Sequence, residues 1–259
     1  MNQNTDAKEM VTDPARTKQF QLRIKEDVSH AMEPLIHVHH GVRCDTERRG
    51  YKTPHNRNPL RIVVDASEGY VPLWEKGTTL RWRFQERSIS RFEDSEGLKG
   101  TVVELMGEAI LAWGDAVPVK FVQDDENYDF EYVIRTADDC QGGGCVLASA
   151  FFPATAQAEL DIYPMMFTQS KQEQVDTLIH EFGHVFGLRH FFALISETAW
   201  PSEVFGVHDK FTIMNYGTDS KLTDDDKADL KRLYEQAWKG DLEKINGTPI
   251  RFMKAYSAK

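Results

Sequence analysis

The sequence predicts an α/β or α+β sheet domain with a helical C-terminal part, and three stretches carry that prediction. In LWEKGTTLRWRF, Leu80, Trp82 and Phe84 alternate with Arg81 and Arg83, the period of a half-buried strand. In TVVELMGEAILAWGDAV, Val102, Val103, Met106, Ala109, Ile110 and Trp113 recur at helical spacing. In SKQEQVDTLIHEFGHVFG, Val175, Leu178, Ile179, Phe182, Val185 and Phe186 form a second apolar stripe with the same spacing.

Taken in chain order, residues 1–60 are polar and broken by Pro14, Pro34, Pro54 and Pro59, with one helical pattern around Gln19 to Met32. They read as an N-terminal extension, a candidate pro-segment, ahead of a domain spanning 61–240 and a tail over 241–259. The LRWRF strand opens the ordered part. Thr101 and Glu104 match a capping box, which starts the first helix there. VPVKFV and DFEYVIRT follow as strands, and VLASAFFP and ELDIYPMMF read as two more after the CQGGGC loop. Ser170 and Glu173 match a second capping box, and Gly187 is the natural stop of that helix. A loop-rich stretch runs from His190 to Tyr216. The last helix starts at Thr223, with aspartates in its first turn where the helix dipole favours them.

The chain has 259 residues, 41% of them apolar, and a formal charge of −10. That is enough for one large domain, or one domain with an extension, around a buried core. The acidic balance argues against nucleic acid and anionic membranes as partners. No stretch approaches the ~20 apolar residues of a membrane span. The first residues lack the apolar region of a secretory signal, so two compartments stay open: intracellular, or secreted with the signal already removed. Asn246-Gly-Thr is a glycosylation sequon only in the second case. A monomer is expected. Cys140 and Cys145 flank QGGG, and two readings stand: a small disulfide loop that leaves Cys44 unpaired, or three reduced thiols.

The chemistry concentrates in HEFGHVFGLRH, residues 180–190. His180 and His184 lie four residues apart, so both imidazoles share one face of the helix and can touch one ion. Glu181 sits beside the first histidine, where a carboxylate can take a proton from a metal-bound water. His190 is too far along a continuous helix to reach back. Gly187 resolves this, because glycine can adopt positive φ and turn the chain under the metal. Three protein ligands and one open position are the arrangement of a catalytic zinc site. A bare HExxH is a moderate signal, whereas HExxHxxGxxH fixes five positions in eleven and is rare by accident.

HEFGHVFGLRH resembles the metzincin zinc proteases. The resemblance covers about residues 70–236 and is closest to the matrixins, carried by LWEKGTTLRWRF, AWGDAVPVKF, VLASAFFP and LTDDDKADLKRLY in that order. It implies an α+β catalytic domain, with a twisted, mostly parallel sheet and an antiparallel edge strand. It implies a methionine turn beneath the metal, supplied by Met214 in FTIMNYG. It also implies one catalytic Zn2+, and a peptide or protein substrate paired with the edge strand at Leu147, Ala148, Ser149 and Ala150. The segment from His190 to Met214 would line the pocket beyond the scissile bond.

Three departures matter. Tyr216 follows Met214 by two residues, as in astacins and serralysins, where such a tyrosine serves as a zinc ligand or oxyanion donor. Phe191 stands where astacins carry a glutamate. The loop TADDCQGGGC has no histidine for the second, structural zinc of matrixins, so none is expected; Asp138, Asp139 and Asp161 are candidates for Ca2+. In HVHHGVRCD, Arg43 and Cys44 keep the RC pair of a matrixin propeptide, while Asp45 matches the acidic latency ligand of astacins. The expected protein is therefore a zinc metalloendopeptidase in zymogen form. The rival is a zinc-binding module that does not cleave, which acts by binding or inhibition.

Overall fold

The computed structural model describes residues 20–25, 42–43, 62–66, 69–141, 144–190, 202–205, 213–214 and 220–258. In chain order the first strands are β1 (Val42–Arg43), β2 (Ile62–Asp65), β3 (Val71–Trp74), β4 (Thr79–Phe84), β5 (Lys120–Gln123), β6 (Phe130–Ile134) and β7 (Asp139–Gln141). The others are β8 (Gly144–Val146), β9 (Ala148–Ser149), β10 (Ala158–Ile162), β11 (Leu188–Arg189), β12 (Ser202–Phe205), β13 (Lys244–Ile245) and β14 (Thr248–Met253). The long helices are α1 (Ser95–Trp113), α2 (Lys171–Val185) and α3 (Asp224–Lys239). Among the described residues no helix is long and apolar enough to cross a membrane.

The central sheet has the order β5-β4-β6-β10-β9. β4, β5, β6 and β10 run parallel, and β9 is antiparallel at one end. On β4 the alternation read from the sequence is realised: Leu80, Trp82 and Phe84 are buried, while Thr79, Arg81 and Arg83 are partly exposed. Helices α1 and α2 pack against each other. The aromatic core between helix and sheet includes Phe121 against Phe182, with ring centroids 5.2 Å apart, and Phe130 against Tyr132 at 5.6 Å.

Three elements differ from expectation. Helix α1 begins six residues before Thr101. Its cap is Asp94, whose side chain accepts the Gly97 N–H at 2.8 Å. Thr101 instead donates to Gly97 O within the helix, and Glu104 reaches Lys171 on α2. Residues 20–25, expected inside a helix, are extended, with Ile24 bridged antiparallel to Phe92. The pattern FQLRIK explains this: partly buried Phe20, Leu22 and Ile24 alternate with exposed Gln21, Arg23 and Lys25, a period of two. Finally, residues 244–253, expected in a tail, form a hairpin whose strand β14 runs parallel to β3. Its turn is Asn246-Gly247, with φ of 49° and 95°, the Asn-Gly pair that tight hairpins favour. Ser257 then donates its backbone N–H to the buried Asp129 carboxylate, which also accepts the Arg81 N–H.

Helix α2 starts at the expected capping box: Ser170 Oγ accepts the Glu173 N–H, and Glu173 accepts the Ser170 N–H. The end of α2 is held from outside. Trp74 on β3 donates its indole N–H to Val185 O at 2.8 Å, and Tyr234 on α3 donates its hydroxyl to Phe186 O at 3.0 Å. Trp113 on α1 donates to Ile179 O at 3.0 Å. The last carbonyls of a helix have no partner within it, so Trp74 and Tyr234 satisfy groups that burial would otherwise penalise, while Trp113 adds a donor to a carbonyl inside the helix. Replacing Trp74 by Phe keeps an aromatic ring but removes the donor to Val185 O. We expect a loss of about 1–3 kcal/mol in urea unfolding. An unchanged midpoint would contradict this role for the indole.

Candidate metal centre

Helix α2 sets His180 and His184 one turn apart on its inner face, both buried. Gly187, at φ 90°, then reverses the chain. A side chain at 187 would also be crowded, since a Cβ there would lie 3.2 Å from Pro72 O. After the turn, β11 pairs antiparallel with β2, and the Asp65 N–H donates to Gly187 O at 3.0 Å. This carries His190 back to the other two histidines. His180 Nε2 lies 3.1 Å from His190 Nε2 and 3.1 Å from His184 Nε2.

The tautomers follow from the partners of the other ring nitrogens. His180 Nδ1 lies 2.7 Å from Ile213 O, and His184 Nδ1 lies 2.8 Å from Leu188 O. A carbonyl can only accept, so both Nδ1 atoms carry the proton. Both Nε2 atoms therefore present lone pairs to one point, and lone pairs that close repel one another unless a cation lies between them. Burial, then the charges of the neighbouring histidines, holds His184 well below the usual imidazole range. His190 is held low as well, by burial and by the charges of His180 and Arg189. Neutral imidazoles are the form that binds metal. Among the described residues this triad is the one group of three histidines, cysteines or carboxylates close enough to hold an ion. The donor set suits zinc with an open fourth position.

Glu181 is buried beside His180. Met214 is buried beneath the helix at Gly183, where an added Cβ would run into the methionine sulfur. The turn at Ile213–Met214 thus does two things: it fills the space left by Gly183, and it offers the carbonyl that orients His180. Neither Gly183 nor the Ile213 carbonyl was picked out from the sequence. The missing side chain at 183 inside an otherwise apolar stripe was the available signal. Phe152 adds an edge contact to the His184 ring, with centroids 5.5 Å apart.

A disulfide joins Cys140 to Cys145 across the β7–β8 hairpin. Leu147, Ala148, Ser149 and Ala150 lie along the end strand of the sheet, and all are buried. β1 runs parallel to β8, with Val42 opposite Cys145 and Arg43 opposite Val146. Tyr216, Cys44 and Asp45 lie outside the described residues, as do His37, His39 and His40. Two of the calcium candidates have protein partners: Asp138 accepts the Met165 N–H at 2.7 Å, and Asp161 pairs with Arg135 at 2.8 Å.

The family model for matrixins matches residues 73–235. Human stromelysin-3 is 31% identical over 177 residues, which is 64% of this chain and 32% of that protein. The chain therefore spans about a third of the length of that curated relative. Two solved structures of myroilysin are 15% identical to it, with TM-scores of 0.43 and 0.42. They cover 66% and 62% of this chain and 98% and 85% of their own.

Two outcomes follow from this geometry. Gly183→Ala forces the Met214 sulfur aside, and overpacking of this kind costs about 1–3 kcal/mol; an unaltered Tm would contradict the close approach. The second concerns acid. His184 and His190 have folded pKa values below the unfolded value, so below pH ~6.5 the unfolded chain binds more protons. Stability of the metal-free chain is therefore present above that pH and is lost as pH falls further. Urea midpoints after chelation should drop from pH 7.5 to 5.5, and drop less in His184→Asn; equal drops would refute the assignment.

Proposed function

This chain belongs to the matrixin family, and from that premise we propose that it is a zinc endopeptidase that uses Glu181 to move the proton of the hydrolytic water. The observation that carries the reading is the convergence of His180, His184 and His190 through their Nε2 atoms, with Glu181 buried on the same helical turn as His180. Zinc, when bound there, supplies a water of lowered pKa and a Lewis acid for the scissile carbonyl. The Glu181 carboxylate accepts a proton from the attacking water and returns it to the amine nitrogen of the leaving strand. The carbonyls of Ile213 and Leu188 hold the His180 and His184 rings in the ligating tautomer throughout. Tyr216 is assigned as a hydroxyl donor to the developing oxyanion.

The substrate would lie extended against Leu147 to Ala150, adding its backbone to the end of the sheet. Those residues are buried in the full chain, and β1 lies against the preceding strand β8. Both facts support a latent form in which the N-terminal segment covers the cleft. Cys44 and Asp45 directly follow β1 in sequence, so either can serve as the anionic ligand that displaces the catalytic water.

Glu181→Gln should retain one zinc per chain and lose about 10²–10⁴-fold in kcat/KM on a quenched peptide library. Retained turnover would refute the role of the carboxylate. Cys44→Ser combined with Asp45→Asn should raise hydrolysis by the full chain. If the double variant stays as silent as the parent while a truncated chain is active, latency lies elsewhere in the segment.

A further inference from the structure

Residues 20–25 lie far upstream of the matched family region, yet they sit on the folded domain. Two backbone hydrogen bonds hold them: Lys25 N–H to Arg91 O at 2.9 Å, and Glu93 N–H to Arg23 O at 3.0 Å. Phe20 meets Phe167 edge to face, with centroids 6.1 Å apart. Phe20, Leu22 and Ile24 are only half-buried, and a cleft of about 490 Å³ remains between them and Pro164, Phe167 and Thr168.

The two elements that receive this segment close their own ends without it. Helix α1 has its own cap in Asp94, and the 3-10 helix at Pro164–Thr168 closes on Tyr163 O through the Met166 N–H. Removing the segment would uncover Phe92 and Phe167, which are now buried, and would leave an apolar groove with backbone donors and acceptors along one rim.

We propose that this groove is a peptide-docking site, and that Phe20–Lys25 is its detachable resident. The site takes an extended strand with apolar side chains at alternate positions, as FQLRIK provides. The chain's own segment occupies it in cis and so ties the N-terminal extension to the domain at a second point, separate from β1. The inference goes beyond the peptidase reading, and its test needs no catalysis.

The test is hydrogen exchange on the zinc-loaded full chain. In the parent, the Glu93 amide should be protected through its bond to Arg23 O. In Leu22→Asp/Ile24→Asp it should exchange at least about tenfold faster, while the Leu98 amide inside α1 stays as slow as in the parent. A synthetic peptide with the sequence of residues 18–27 should return Glu93 to within about twofold of the parent, and the same peptide with both aspartates should not. Unchanged exchange at Glu93 in the variant would overturn the contact. Faster exchange that the peptide does not reverse would make the segment an ordinary part of the fold and overturn the docking site. If Leu98 also accelerates, Lys25→Pro is read in the same way, because it removes one donor and leaves the apolar residues in place.

Discussion

The site depends on one reversal of the backbone at Gly187. His184 lies on the helix three residues before it and His190 three residues after it, just past β11, and the positive φ at Gly187 is what turns the chain between them. The reversal leaves three successive carbonyls at the end of a buried helix. Each is taken by a different part of the chain: Val185 O by Trp74, Phe186 O by Tyr234, and Gly187 O by the Asp65 N–H. The third histidine is therefore placed by the first strand of the matched region, the last helix and a strand upstream of both. Energetically these are individually modest bonds, but leaving any of the carbonyls unmet in the interior would cost more than the bond contributes.

From that reversal the electrostatics follow. His184 and His190 are driven neutral by burial and by the charges beside them, and the Nδ1 protons of His180 and His184 are taken by Ile213 O and Leu188 O. What remains is a buried point faced by lone pairs. Such a point is unfavourable when empty and favourable with a cation, so metal and domain stability are linked. Gly183 and Met214 belong to the same construction: the Met214 thioether fills the space that a side chain at 183 would take.

Much of this was legible in the sequence because it was local. The capping box at Ser170, the stripe from Val175 to Phe186 and the stop at Gly187 are encoded by neighbours along the chain. The capping match at Thr101 and Glu104 misleads for the same reason: a pattern satisfied locally is outcompeted when Asp94 caps the helix earlier and the helix runs through the glycines at 97 and 100. FQLRIK was read inside a longer helical pattern, although its own period is two. The parts that could not be read are long-range. Nothing near Trp74 in sequence announces that its indole serves Val185, and nothing in IRFM announces that it will lie beside β3. The resemblance marks Met214 in the sequence, whereas its contact with Gly183 exists only in the folded chain.

The central claim is that His180, His184 and His190 jointly hold one metal ion. Zinc K-edge X-ray absorption on the zinc-loaded full chain addresses it most directly. The account predicts one zinc per chain with three imidazole nitrogens at about 2.0–2.1 Å and one further ligand. A first shell of oxygens alone, or fewer than three imidazoles, would contradict it.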